Sequence, residues 1–150
     1  MKNLAIKRIK GGITAPKGFV ASAAEAGIKY ANRKDMALLF SQEEAVLAGV
    51  FTKNRIKAAP VYLCMKGVRR GKAQAVVINS GCANACTGII GMGNAQKIAS
   101  IAAMELGISA DNVMVCSTGT IGTQLPVDKI EAAIPKLTAS LSPLGGDAAA

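Results

Sequence analysis

Asn79-Ser80-Gly81-Cys82-Ala83-Asn84-Ala85-Cys86-Thr87-Gly88 follows directly on Gln74-Ala75-Val76-Val77-Ile78, and the break in character between the two stretches decides how the chain is read. The apolar run reads as a buried strand. The residues after it carry no bulky side chain, so they cannot build a core. At the end of a strand they can bring backbone N–H groups and short side chains close to a ligand. The same construction recurs where Asn112-Val113-Met114-Val115-Cys116 leads into Ser117-Thr118-Gly119-Thr120-Ile121-Gly122. Two strands that end in small polar loops imply one site assembled from both.

Working outward, Gly11 to Gly18 reads as an irregular leader punctuated by Gly and Pro. Phe19–Tyr30, Met36–Phe40 and Ala45–Thr52 read as strands, and Pro60–Arg70 as a short helix with Pro60 in its first turn. A clearer helix spans Asn94–Leu106, with Ala95, Ile98, Ala99, Ala102 and Leu106 on one face and Gly107 as its stop. The glycine-rich run Gly88-Ile89-Ile90-Gly91-Met92-Gly93 before it fits neither the dinucleotide fingerprint nor the Walker A loop and reads as a tight connection. Another helix starts at Pro126, with a stripe of Ile130, Ile134, Leu137 and Leu141 and a distortion expected at Pro135. The order is that of an α/β or mixed α+β fold. Residues 1–150 form a single domain in this reading, with 142–150 as a connector.

Composition sets the outer bounds. A chain of 150 residues, half of them apolar, can bury a real core. Its three Phe, two Tyr and absent Trp leave little surface for stacking bases, which weighs against a single-stranded nucleic-acid binder. The whole chain carries a formal charge of +9, with 15 of its 18 Lys and Arg spread along residues 1–72 and a modest cluster at Lys66, Arg69, Arg70 and Lys72. It implies a solvated face, a surface matched to an acidic partner, or a cleft that attracts an anionic metabolite. The stretch Met1–Lys10 has no apolar run long enough for a signal peptide, and no run approaches a membrane span. Cytoplasmic residence follows as an expectation, with the four cysteines as reduced thiols.

The chemistry missing from the chain is as informative. It contains no histidine, which removes Ser/His/Asp and Cys/His catalysis and the commonest zinc sites. Cys82 and Cys86 are not spaced as a metal knuckle, so Cys64, Cys82, Cys86 and Cys116 read as packing thiols. Cys82 has no sequence-adjacent base to make it reactive. The nine carboxylates form no obvious pair and read as surface or helix-end charges. Thr118-Gly119 offers a hydroxyl beside an unhindered N–H. Such a pair can serve as an oxyanion hole, whose donors are worth about 3 kcal/mol each, or as an ordinary turn. No metal and no cofactor is expected. The chain thus offers donors but no nucleophile and no base. It is a binding or assembly module, or part of an active site completed elsewhere.

Longer motifs narrow the choice. Gly12-Ile13-Thr14-Ala15-Pro16-Lys17-Gly18-Phe19, Ala26-Gly27-Ile28-Lys29, and the run from Ala48-Gly49-Val50-Phe51-Thr52-Lys53-Asn54 through Arg55-Ile56-Lys57-Ala58-Ala59-Pro60-Val61 occur in order with the loops and Leu125-Pro126. Together they resemble the N-terminal part of the ornithine acetyltransferase, or glutamate N-acetyltransferase, family of arginine biosynthesis. The resemblance implies a layered αββα sandwich, incomplete in this chain. It also implies a precursor that cleaves itself before an internal threonine, which becomes the nucleophile at the N-terminus of a β chain. The α-amino group of that threonine, with an ordinary pKa of roughly 7.7–8.0, would act as base. Acetylornithine acetylates the threonine, ornithine leaves and glutamate takes the acetyl group, with acetyl-CoA a possible further substrate. By this resemblance Thr118 and Gly119 form the oxyanion hole. Asn79, Ser80, Gly81 and Asn84 lie in a near-site loop in which Cys82 replaces the more usual Asn. The partner is the β chain, in an α2β2 assembly without nucleic acid or membrane. Ala150 precedes the family's Thr-rich segment, substrate-binding lysine and cleavage point. The chain is therefore expected to be most of an α chain and inactive alone. A self-cleaving aminopeptidase of similar architecture is the related alternative; the long motifs favour the acetyltransferase.

Overall fold

The computed structural model describes residues 12–150, so the stretch Met1–Lys10 lies outside the described residues. Four strands form one sheet in the order β1-β2-β3-β4: β1 Phe19–Ala24, β2 Met36–Val46, β3 Lys72–Asn79 and β4 Val113–Ser117. The first two pairings are antiparallel, and β3 and β4 run parallel. A parallel pair needs a crossover, and the long helix α2, Gly88–Leu106, supplies it. Helix α1, Ala59–Arg70, precedes β3, and α3, Val127–Ala139, follows β4. This is the mixed α/β class expected, with one sheet and its helical layer present in the chain.

The strand period determines which face meets the helices. Met36, Leu38, Ala75, Val77, Val113 and Val115 share one core with Ile98, Ala99 and Ala102 of α2 and Ile130, Ile134 and Leu137 of α3. Alanines along α2 let that helix lie close to the sheet, while the larger residues of α3 fill the remaining space. Ser22 on β1 donates from Oγ to the Leu137 carbonyl at 2.7 Å, satisfying a buried hydroxyl and tying α3 to the sheet. Among the described residues no helix is long and apolar enough to cross a membrane.

Several boundaries differ from the sequence reading for identifiable reasons. Helix α2 begins at Gly88, so the glycine-rich run forms its first turns instead of a connection. A Cβ on Gly91 would sit 1.9 Å from Thr87 Oγ1 and 2.6 Å from Asn84 Oδ1; the glycine is there for close approach, inside a helix. No separate strand spans Ala45–Thr52. Ala45 and Val46 end β2 beyond a register shift after Phe40, and the chain then runs irregularly with Val50 almost fully exposed. Helix α3 continues through Pro135 to Ala139. Residues 142–150 are tied to the sheet: Ser142 and Ala21 exchange two backbone hydrogen bonds, and a short helix α4, Gly146–Ala149, packs on β1 and β2.

Candidate functional site

The carboxyl ends of β3 and β4 lie side by side, and their pairing continues past the strands into both small-residue loops. Thr118 N–H donates to Asn79 O at 3.0 Å, Thr120 N–H to Gly81 O at 3.2 Å, and Ala83 N–H to Thr120 O at 2.9 Å. Gly122 N–H donates to Ala85 O at 2.9 Å. This side-by-side course requires almost no space between the chains at Gly81 and Gly119. A Cβ on Gly119 would fall 2.3 Å from the Gly81 carbonyl carbon. Both glycines also have positive φ, 99° and 131°.

The near-site residues divide into two groups. Asn79 and Asn84 point inward and hold the loop. Asn79 Nδ2 donates to Cys82 O at 2.9 Å, Asn84 Nδ2 donates to Gly91 O at 2.9 Å, and Thr87 Oγ1 donates to Asn84 Oδ1 at 2.8 Å. Asn84 is completely buried and has φ 46°, a conformation that asparagine tolerates better than most residues. Asn84→Ala removes two buried hydrogen bonds and leaves a strained backbone. It is expected to cost about 3 kcal/mol in urea unfolding. A loss under about 1 kcal/mol would show that the loop does not depend on this side chain. Ser80 and Gly81, by contrast, line an open notch together with Gly119.

Thr118 and Gly119 are exposed. Among the described residues neither the Thr118 hydroxyl nor the Gly119 N–H is engaged in a hydrogen bond. The backbone that carries them is fixed on both sides, so two free donors stand next to each other on a rigid support. At the adjoining Ser117, Oγ is buried without a partner, the one such side-chain atom among the described residues.

A third segment, missed as a site element in the sequence, closes the notch. The β1–β2 connection folds over Ser80 and Gly81 because Asp35 holds it. Asp35 Oδ1 accepts from Ala26 N–H at 2.7 Å, Oδ2 from Ile28 N–H at 2.6 Å, and its own carbonyl accepts from Ser80 N–H at 2.8 Å. Asp35 is therefore a buried loop anchor and not the surface charge that composition implied. The loop so held presents Lys29, whose Nζ donates to Thr120 Oγ1 at 3.2 Å.

Cys82 is buried and Cys64 half-buried, as packing thiols would be, whereas Cys86 and Cys116 are exposed. Cys82 is buried in the core cluster, and its Sγ donates to Thr123 O at 3.3 Å. Burial pushes the Cys64 thiol up, with its bond to Val115 O as a smaller opposing effect. Partial desolvation of its sulfur raises Cys116 as well, although the residue is exposed, helped by Cys64 nearby. Both are protonated at neutral pH and poorly suited to attack. Among the described residues no group of His, Cys, Asp or Glu is placed to hold a metal. A cleft of about 410 Å³ between α1 and α2 is lined by residues that include Lys66, Arg70, Met92 and Gln96 and by none of the loop residues.

Known proteins resemble this chain in sequence and in fold. "Arginine biosynthesis bifunctional protein ArgJ" of Caldanaerobacter subterraneus is 51% identical over 138 residues, 92% of this chain and 34% of the relative. The protein of the same name from Symbiobacterium thermophilum is 51% identical over 144 residues, 95% of this chain and 36% of the relative. The chain thus spans about a third of the length of these relatives, 34% and 36%. The crystal structure of Mycobacterium tuberculosis ornithine acetyltransferase complexed with ornithine superposes with a TM-score of 0.90 at 41% identity. That match covers 93% of this chain and 76% of the solved one. The Bacillus halodurans arginine biosynthesis bifunctional protein gives a TM-score of 0.85 at 35% identity, covering 93% of this chain and 73% of that one. With the ArgJ family model matched across residues 20–150 as well, fold and sequence agree: the chain belongs to the ArgJ family.

Proposed function

We propose that this chain supplies the oxyanion hole of an enzyme that transfers an acetyl group from N2-acetyl-L-ornithine to L-glutamate in arginine biosynthesis. The observation that carries the reading is the pair of unengaged donors, Thr118 Oγ–H and Gly119 N–H, on a backbone fixed by the β3–β4 hydrogen bonds. The family membership and the relatives' names support it.

The nucleophile in this reading is a threonine downstream of Ala150, freed as a β-chain N-terminus when the precursor cleaves itself. Its hydroxyl oxygen attacks the acetyl carbonyl carbon, and the proton passes to its own α-amino group. The carbonyl π electrons move onto oxygen, where Thr118 and Gly119 meet the developing charge with two donors. Collapse expels the ornithine nitrogen, which takes the proton, and leaves an acetyl-threonine ester. The α-amine of glutamate attacks that ester through the same hole, giving N-acetylglutamate and free threonine. Acetyl-CoA serves as a second acetyl donor in this reading. An α2β2 assembly in the cytoplasm, without a cofactor, completes the proposal.

Producing this chain with the downstream residues that its relatives carry, and assaying transfer from acetylornithine to glutamate, tests the reading. The expected result is ping-pong kinetics and an acetylated threonine. No transfer, with both chains folded and the new threonine N-terminus confirmed, would sink it.

A further inference from the structure

We infer that the cleft between α1 and α2 is a second ligand site, for a small organic anion that carries an apolar chain. None of its residues belongs to the two loops, so the site stands or falls apart from the acetyl-transfer reading.

The floor of the cleft is apolar. It is made by Leu63, Met92, Ala99, Val113 and Met114, of which Ala99, Val113 and Met114 are buried. Small residues on the α2 side, Ala99 and Ser100, leave open a space that larger ones would fill. Met92 and Met114 have flexible, polarizable side chains that can adapt to an apolar chain. The volume, about 410 Å³, lies within the range of roughly 300–1,000 Å³ usual for small-molecule sites. A second hollow of about 250 Å³ shares Tyr62 and Met92 with the cleft, so the two adjoin.

The rim is cationic. Of the basic cluster over residues 66–72, the fold places Lys66 and Arg70 on the cleft, while Lys72 pairs with Glu44 at 2.6 Å. Lys66 and Arg70 are four residues apart on α1 and so share one face of it. Among the described residues Lys66 is in no ion pair. Arg70 Nη1 meets Asp111 Oδ1 at 3.2 Å, one contact from a guanidinium with five N–H donors. Two cations and one carboxylate therefore line the cleft, and a single anionic head group would balance them. A hydrocarbon alone leaves Lys66 unused, and an inorganic ion alone leaves the apolar floor in water. A chain of several carbons ending in a carboxylate or a phosphate satisfies both.

The test is calorimetric titration of the enzyme produced with its downstream residues, using octanoate and octyl phosphate as the two anions. Saturable one-to-one binding is expected, and the ratio of the two affinities identifies the preferred head group. Octan-1-ol should bind roughly ten- to a hundredfold more weakly, the usual worth of a charge-assisted hydrogen bond. Hexanoate should lose roughly tenfold against octanoate, since each buried methylene is worth up to about fourfold. Lys66→Glu should abolish the preference for the anion over the alcohol, and Ser100→Trp, which fills the cleft, should weaken every ligand. Both positions are exposed, so the urea midpoint of neither variant should move. Absence of binding to the parent enzyme, as when a downstream segment already covers the cleft, would overturn the proposal. Equal affinity for octanoate and octan-1-ol, or binding that neither substitution weakens, would overturn it as well.

Discussion

Gly119→Ala is expected to reduce acetyl transfer to about 1% of the parent rate or less and to destabilise the protein by at least about 3 kcal/mol. The added Cβ would lie 2.3 Å from the Gly81 carbonyl carbon and 2.6 Å from both Gly81 O and Cys82 N. These are backbone atoms. Rotating a side chain cannot relieve the overlap, so the loops must separate. Gly119 also has φ 131°, a conformation that an alanine adopts only under strain. Separation would break the bonds from Thr120 N–H to Gly81 O and from Ala83 N–H to Thr120 O, and would move the Gly119 N–H away from the charge it is proposed to meet. Steady-state kinetics and urea unfolding of the same preparation check both parts. Parent-like stability would contradict the close packing of the loops. A parent-like rate would remove Gly119 from the mechanism.

Thr118→Ala is expected to separate catalysis from stability. The Thr118 side chain is exposed and makes no hydrogen bond among the described residues, while the fold uses its backbone N–H, which alanine retains. Unfolding should therefore be unchanged within about 0.5 kcal/mol. Loss of one donor to the oxyanion should lower kcat roughly 10²–10³-fold with KM little affected, because the interaction strengthens only as charge develops. Thr118→Ser keeps the hydroxyl and should recover most of the rate. A fall in kcat of less than about tenfold for the alanine variant would remove the hydroxyl from the hole.

Much of this site was legible in local sequence. Apolar runs ending in small polar residues marked β3 and β4, and the absence of histidine showed that the chain could not supply a conventional base. Local pattern misplaced the start of α2 because glycine lowers helix propensity, whereas Gly91 is required there by contacts with Thr87 and Asn84. It also misread Asp35, whose residue type is usually exposed. Only the folded loop reveals two backbone N–H groups converging on its carboxylate. Lys29 carried no signal as a charge among many.

By itself the sequence determined the mixed α/β class, the approximate course of the strands and helices, and Thr118-Gly119 as a candidate donor pair. Those depend on periodicity and on neighbours along the chain, which short-range sterics and burial control. The tertiary structure alone decided that the two loops touch at Gly81 and Gly119, that Asn79 and Asn84 face inward, and that a loop beginning dozens of residues earlier brings Lys29 and Arg33 to the same opening. Each of these depends on contacts between segments far apart in the chain. Such contacts exist only once the sheet order and the burial of a shared core have brought the segments together.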